Sequence, residues 1–145
     1  MIRRLGRKVR AVRDIVVASV AVLRARRTVA QRPVGSLVGK PGIAAPEVPG
    51  GTLSASDRLT GERWGAAVDR VLKWTPGDSA CLVRAAALRD LVVSRGLPRA
   101  EVRIGVRRGS DGFEAHAWVE QDGIPIAEPE ALRGTFSSLD GVTLH

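Results

Sequence analysis

Hydrophobic and polar positions divide the chain into a helical first part and a strand-rich second part. Residues from about 8 to 30 read as one helix whose centre, 15–23, is an apolar run bounded by Asp14 and Arg24. A second helix is expected from near Thr60, because Trp64, Ala67, Val68, Val71 and Leu72 recur at the spacing of one helical face; Pro76-Gly77 ends it. A third follows Asp78 and Ser79, both good N-cap residues. Its body, 82–93, is apolar nearly all round apart from Arg84, Arg89 and Asp90. Such a helix belongs at a domain centre, and Gly96 and Pro98 stop it.

The period then changes from helix to strand. Val102, Ile104 and Val106 alternate with charged residues, and Gly109-Ser110-Asp111-Gly112 reads as a turn. In 113–120, Phe113, Ala115, Ala117 and Val119 share one face, and Glu114, His116, Trp118 and Glu120 share the other. A hairpin turn at 121–123 leads to a strand at 124–128, and Phe136, Leu139, Val142 and Leu144 supply a short last strand. Helices first and an antiparallel meander afterwards make an α+β fold, with the buried third helix packed on a small sheet.

Between the first and second helices, 35–51 is rich in Gly and Pro and reads as a linker or arm. The expected organisation is a basic amphipathic helix over 1–33, a linker over 34–55 and a domain over 56–145. On this division, removing residues 1–50 is expected to spare the chemistry of Cys81 but to weaken assembly.

Composition changes the picture in two places. The 145 residues carry a net charge of +8, almost all of it from Arg, since Lys8, Lys40 and Lys73 are the only lysines. That charge suits nucleic acid or anionic lipid. With three Trp, two Phe and no Tyr, however, the chain lacks the interleaved aromatics that stack single-stranded bases, so no nucleic-acid partner is expected. The nine-residue apolar run falls short of the roughly 20 needed to span a bilayer, and Arg24-Ala25-Arg26-Arg27 follows it in place of a small-residue cleavage site. The expected location is the cytoplasm, with the first helix suited to peripheral contact with the inner membrane face.

The second place is cysteine. One Cys allows no intramolecular disulfide and no multi-Cys zinc site, and a lone Cys is more often a buried small hydrophobe. Cys81 differs in its position within the first turn of a capped helix. The thiolate is the reactive form, and a helix N-terminus favours it, because the dipole and the unpaired amides stabilise negative charge. The same amides can hold an oxyanion. His116, mid-strand between alanines, is the candidate base, and a third group must orient its ring. With a three-residue 121–123 loop, Glu120 pairs with Ile124, Trp118 with Ile126, and His116 with Glu128, which then accepts the ring N–H. A two-residue Asp122-Gly123 loop turns Glu128 to the other face. Asp122 is the other acid considered, though it lies in the turn; Glu114 and Glu120 read as solvated rim residues.

Cys81-Leu82-Val83-Arg84-Ala85, Leu97-Pro98, Ile104-Gly105-Val106-Arg107 and Phe113-Glu114-Ala115-His116-Ala117-Trp118-Val119-Glu120 resemble the lasso peptide leader peptidase family of the transglutaminase-like, papain-like cysteine protease superfamily. The resemblance covers 74–128. It implies a bacterial cysteine protease that cuts the leader from a ribosomally made precursor peptide, with catalytic Cys81, His116 and Glu128. Glu128 stands where the family usually has Asp. No metal or other cofactor is implied. The implied partners are the precursor, a separate leader-binding recognition protein and the lasso cyclase. Trp74 and Trp118 are candidates for lining the peptide groove; as plain packing residues, Trp74 would end a helix in the core and Trp118 would lie on Ile126. The competing readings are a transglutaminase-like acyl transferase using an amine acceptor, and a non-catalytic basic module that binds peptide or membrane.

Overall fold

The computed structural model describes residues 2–38, 53–77, 79–129, 132 and 135–138. Three helices, α1 (Ile2–Gln31), α2 (Ala55–Trp74) and α3 (Ala80–Val93), pack together and against a four-stranded sheet. The strands are β1 (Glu101–Gly109), β2 (Gly112–Gln121), β3 (Ile124–Ile126) and β4 (Ser137–Ser138), in the spatial order β3-β2-β1-β4 with every pair antiparallel. The fold is α+β, with α3, the helix that carries Cys81, packed on a small antiparallel sheet.

The apolar body of α3 explains its place. Leu82, Val83, Ala85, Ala87, Leu88, Leu91 and Val92 are all buried, between α1 and α2 on one side and Ala117 and Val119 of β2 on the other. Gly96 stops the helix at φ 106°, a conformation that favours glycine. α2 begins five residues before the expected Thr60, because Ser54 caps it by accepting the Asp57 N–H at 3.1 Å.

α1 is longer than the periodicity indicated and is part of the core. Ala18, Ala21, Val22 and Ala25 are buried against α2 and α3. Asp14, also buried, accepts two hydrogen bonds from Arg63 of α2, at 2.7 and 2.5 Å. Arg26 donates to the Thr75 carbonyl in the connection between α2 and α3. The helix therefore braces the segment leading to Cys81, and its packing ties residues 1–33 to the core that the expected division left to residues 56–145. The opposite face of α1 carries exposed Val9, Val12, Val16, Val20 and Leu23.

β1 and β2 pair from Glu101↔Glu120 to Gly109↔Gly112. The next hairpin differs from the expected one. Gln121 pairs with Ile124, so the loop is the two residues Asp122 and Gly123, at φ 52° and 79°. Positive φ at both positions is the type I′ arrangement, whose twist suits a two-residue hairpin. Glu120 thus faces Pro125, and Val119 faces Ile126. Leu139, Val142 and Leu144 of the expected last strand, most of the 34–55 linker and Asp78 lie outside the described residues.

Candidate active site

The two-residue loop should carry Glu128 away from His116, because continuing the ladder sets Ala117 opposite residue 128. The pairing stops at Ile126, however, and Ala127 adopts φ 52°. This left-handed residue reverses the alternation, and Glu128 Oε2 comes to lie 2.9 Å from His116 Nε2. The expected partner is present, and the expected register is not. Two departures from the expected hairpin, the shorter loop and the left-handed Ala127, each one residue in effect, cancel.

Local packing explains how an alanine holds that conformation. Gly61 and Gly65 sit one turn apart on α2 and let β3 approach its backbone. A Cβ on Gly61 would lie 2.5 Å from Ile126 Cγ2, and one on Gly65 would lie 2.6 Å from Ala127 Cβ. From the other side Arg84 Nη2 donates to the Ala127 carbonyl at 2.9 Å.

Arg84 also ties the acid down. Its Nη1 donates to Glu128 Oε1 at 3.0 Å, and its Nε donates to Asp69 Oδ1 at 2.6 Å. The Glu128 side chain is only 4 % exposed, so the cation and the imidazole supply the partners a buried carboxylate requires. Burial penalises the Arg84 cation, but Asp69 and Glu128 more than offset that penalty and raise its pKa above the ordinary arginine value. A cleft of about 370 Å³ opens beside this network, between Glu62, Asp69 and Glu128 and the guanidiniums of Arg58 and Arg84.

A carboxylate only accepts, so the bond to Glu128 puts the imidazole proton on Nε2 and leaves Nδ1 to face other chemistry. Phe136 lies against the ring at 5.2 Å between centroids, and Trp118 stacks beside it at 6.1 Å. Trp118 spreads over Gly105, which pairs with His116; a Cβ there would lie 2.8 Å from the indole. Trp118 therefore walls the imidazole. The expected pairing of Trp118 with Ile126 is not the observed one, because Ile126 is opposite Val119. Phe136, read from sequence only as part of a tail strand, is a further wall; its one sequence signal is the scarcity of aromatics.

Cys81 is half-buried at the edge of the apolar core, in the first turn of α3. Among the described residues the first bond of the helix runs from Val83 N–H to the Ser79 carbonyl at 3.0 Å, and the amides of Ala80, Cys81 and Leu82 precede it, at the end of the helix where backbone donors lack intrahelical acceptors. Ser79 occupies the cap position at φ 58° and its side chain makes no capping bond, unlike Ser54 on α2. Cys81 and Arg84, three residues apart, share a helix face. Among the described residues no hydrogen bond joins Cys81 to His116; the observed link runs from α3 through Arg84 and Glu128 to the ring.

The other candidates separate from this centre. Trp74 is 83 % exposed at the end of α2, which removes the core reading. Asp122 pairs with Arg99 at 2.6 Å, and this hydrogen-bonded guanidinium holds its carboxyl below the usual value. Glu114 pairs with Arg107. Glu120 is not a solvated rim residue: it accepts from Arg103 Nε at 2.7 Å and from Trp118 Nε1 at 3.2 Å. Among the described residues no group of three or more His, Cys, Asp or Glu is arranged to hold a metal ion, and no helix is long and apolar enough to cross a membrane.

A family model for the transglutaminase-like superfamily matches residues 14–140. The chain belongs to that superfamily. It includes cysteine peptidases and acyl transferases, and this transglutaminase-like match begins within α1, one face of which is part of the core. Comparison with curated proteins and with solved structures finds no match.

Proposed function

We propose that this transglutaminase-like protein is a cysteine peptidase that removes the leader from a ribosomally made lasso precursor peptide, acting with a separate leader-binding protein. The observation that carries the catalytic part is the His116–Glu128 pair at 2.9 Å, linked through Arg84 to the helix that bears Cys81. The resemblance of the motifs around Cys81 and His116 to the leader peptidases supports the choice of substrate.

The geometry supports the following sequence. Glu128 holds Nε2–H, so Nδ1 takes the proton of the Cys81 thiol. The sulfur attacks the scissile carbonyl, and the oxyanion meets the amides at the start of α3. The C–N bond breaks as His116 passes its proton to the leaving amine. Water then attacks the thioester while His116 takes a proton from it. The C–S bond breaks, and the thiol is restored as the peptide acid leaves. Phe136 and Trp118 wall the ring. Trp74, exposed on the connection to α3, is assigned to peptide contact.

The outward apolar stripe of α1, on a helix with nine basic residues and a single acid, Asp14, supports peripheral contact with an anionic membrane. Co-sedimentation with anionic but not neutral vesicles is expected; equal binding to both, or to neither, contradicts it.

The functional reading is tested by incubating the protein with precursor peptides encoded beside its gene, with and without the neighbouring leader-binding protein, and reading products by mass spectrometry. A leader ending in a free acid, absent with Cys81→Ala, is expected. A leader joined to an added amine, with no free acid, identifies an acyl transferase. Intact precursor in every combination rejects both enzymatic readings.

A further inference from the structure

Arg84 is an unusual presence in α3, whose neighbouring positions are devoted to the core. Its side chain is 15 % exposed, and all three of its nitrogens are engaged. Nη1 holds Glu128 Oε1, Nη2 holds the Ala127 carbonyl, and Nε is held by Asp69 of α2. The planar fork therefore grips the left-handed residue and the acid that follows it at the same time. Glu128 has two oxygens: one is taken by Arg84, and the other is left for His116. The distance between His116 and Glu128 thus depends on where Arg84 sets the carboxylate. β3 stops two residues earlier, at Ile126, so no sheet ladder sets it.

We infer that Arg84 is a positioning residue: it locks the Ala127–Glu128 turn against α3 and so fixes the tautomer and orientation of His116 relative to Cys81. This rests on the reading of Cys81, His116 and Glu128 as one catalytic unit. The placement explains a cation on the nucleophile helix. Cys81 and Arg84 are three residues apart, about 4.5 Å along the axis, so the group that orients the imidazole is held from the same rigid element that presents the sulfur. A shift of the acid relative to the thiol then requires breaking the Arg84 fork, and an ångström of misplacement is worth about 100-fold in rate. Asp69 completes the device by holding the guanidinium from outside.

The test uses the full-length chain with His145→Gln, so that every imidazole signal belongs to His116. Nitrogen NMR reads the tautomer, and the rate of Cys81 alkylation by iodoacetamide, unambiguous because Cys81 is the only cysteine, reads the coupling to the thiol. The parent protein is expected to show one fixed Nε2–H tautomer. Arg84→Met is expected to give a mixture of tautomers and to slow alkylation about tenfold or more. In a Glu128→Gln background the same substitution changes the alkylation rate by less than about twofold, because the group it acts through is gone. That double variant buries no unpaired charge and keeps the comparison available if Arg84→Met alone does not fold. A folded Arg84→Met protein that keeps the fixed Nε2–H pattern overturns the inference, as does an undiminished loss in the Glu128→Gln background. Neither readout uses a peptide substrate. A protein that passes both and cuts no precursor rejects the peptidase reading and leaves the role of Arg84 standing.

Discussion

His116 Nε2 and Glu128 Oε2 lie 2.9 Å apart, although the β2–β3 ladder would set Ala117 opposite residue 128. The contact exists because Ala127 leaves the strand at φ 52°. A site that depends on one left-handed alanine makes sharp demands on the residues packed around it.

Gly65 is the first such demand. Gly65→Ala should favour the α2 helix by about 1 kcal/mol on propensity alone, yet its Cβ would meet Ala127 Cβ at 2.6 Å. We expect a net loss of about 1–3 kcal/mol in urea unfolding. Ala127→Gly removes the opposing Cβ and accepts positive φ without strain, so it should restore most of the loss when added to Gly65→Ala. Additive effects of the two changes contradict this account.

Ala127→Gly alone should leave Cys81 alkylation within about twofold of the parent rate, since glycine adopts the same turn. Ala127→Val, β-branched at positive φ, should slow it about tenfold or more. Equal rates for the two variants would show that the turn does not govern the site.

Asp14 and Arg63 predict a pH-dependent part of the stability. The hydrogen-bonded Arg63 holds the Asp14 carboxyl below its usual value, against the opposing effect of burial. A carboxylate with a lowered native pKa stabilises the fold above its unfolded value of about 4, and that contribution is lost as pH falls through the native value. Asp14→Asn should therefore cost about 1–2 kcal/mol at pH 7. The difference from the parent should shrink as both are titrated below about pH 4. A difference that is constant from pH 7 downwards contradicts the assignment.

Deleting residues 1–33 should abolish cooperative unfolding, because Ala18, Ala21, Val22 and Ala25 leave a core they share with α2 and α3. Circular dichroism during heating reads this directly. A truncated chain that melts cooperatively and keeps a reactive Cys81 would restore the view of α1 as a detachable arm.

Much of this was legible in the residues. The apolar body of α3, its stop at Gly96, the β1–β2 hairpin and the faces of β2 follow from periods of 3.6 and 2 and from turn chemistry. The transition from α3 to the strands, and with it the spacing of Cys81 and His116, follows too. The β2–β3 register was not. Asp122-Gly123 supports a two-residue or a three-residue loop, and the choice moves every later side chain to the other face. Nothing local marks Ala127 as left-handed, since its conformation is imposed by the close approach of α2 and by Arg84. Glu128 reached His116 by a route that the pairing argument did not contain. Arg84 read as an interruption in an apolar helix, because its meaning lies in Asp69, Ala127 and Glu128, which are distant in sequence.

The central claim is that Cys81, His116 and Glu128 act as one unit. It is tested most directly by the iodoacetamide alkylation rate of Cys81 at pH 7, measured in the parent protein, in His116→Ala and in Glu128→Gln. The account predicts a parent rate about tenfold or more above that of the unfolded chain, a fall to that level in His116→Ala, and a smaller fall in Glu128→Gln. A parent rate no faster than the unfolded chain, or one indifferent to His116, would contradict it.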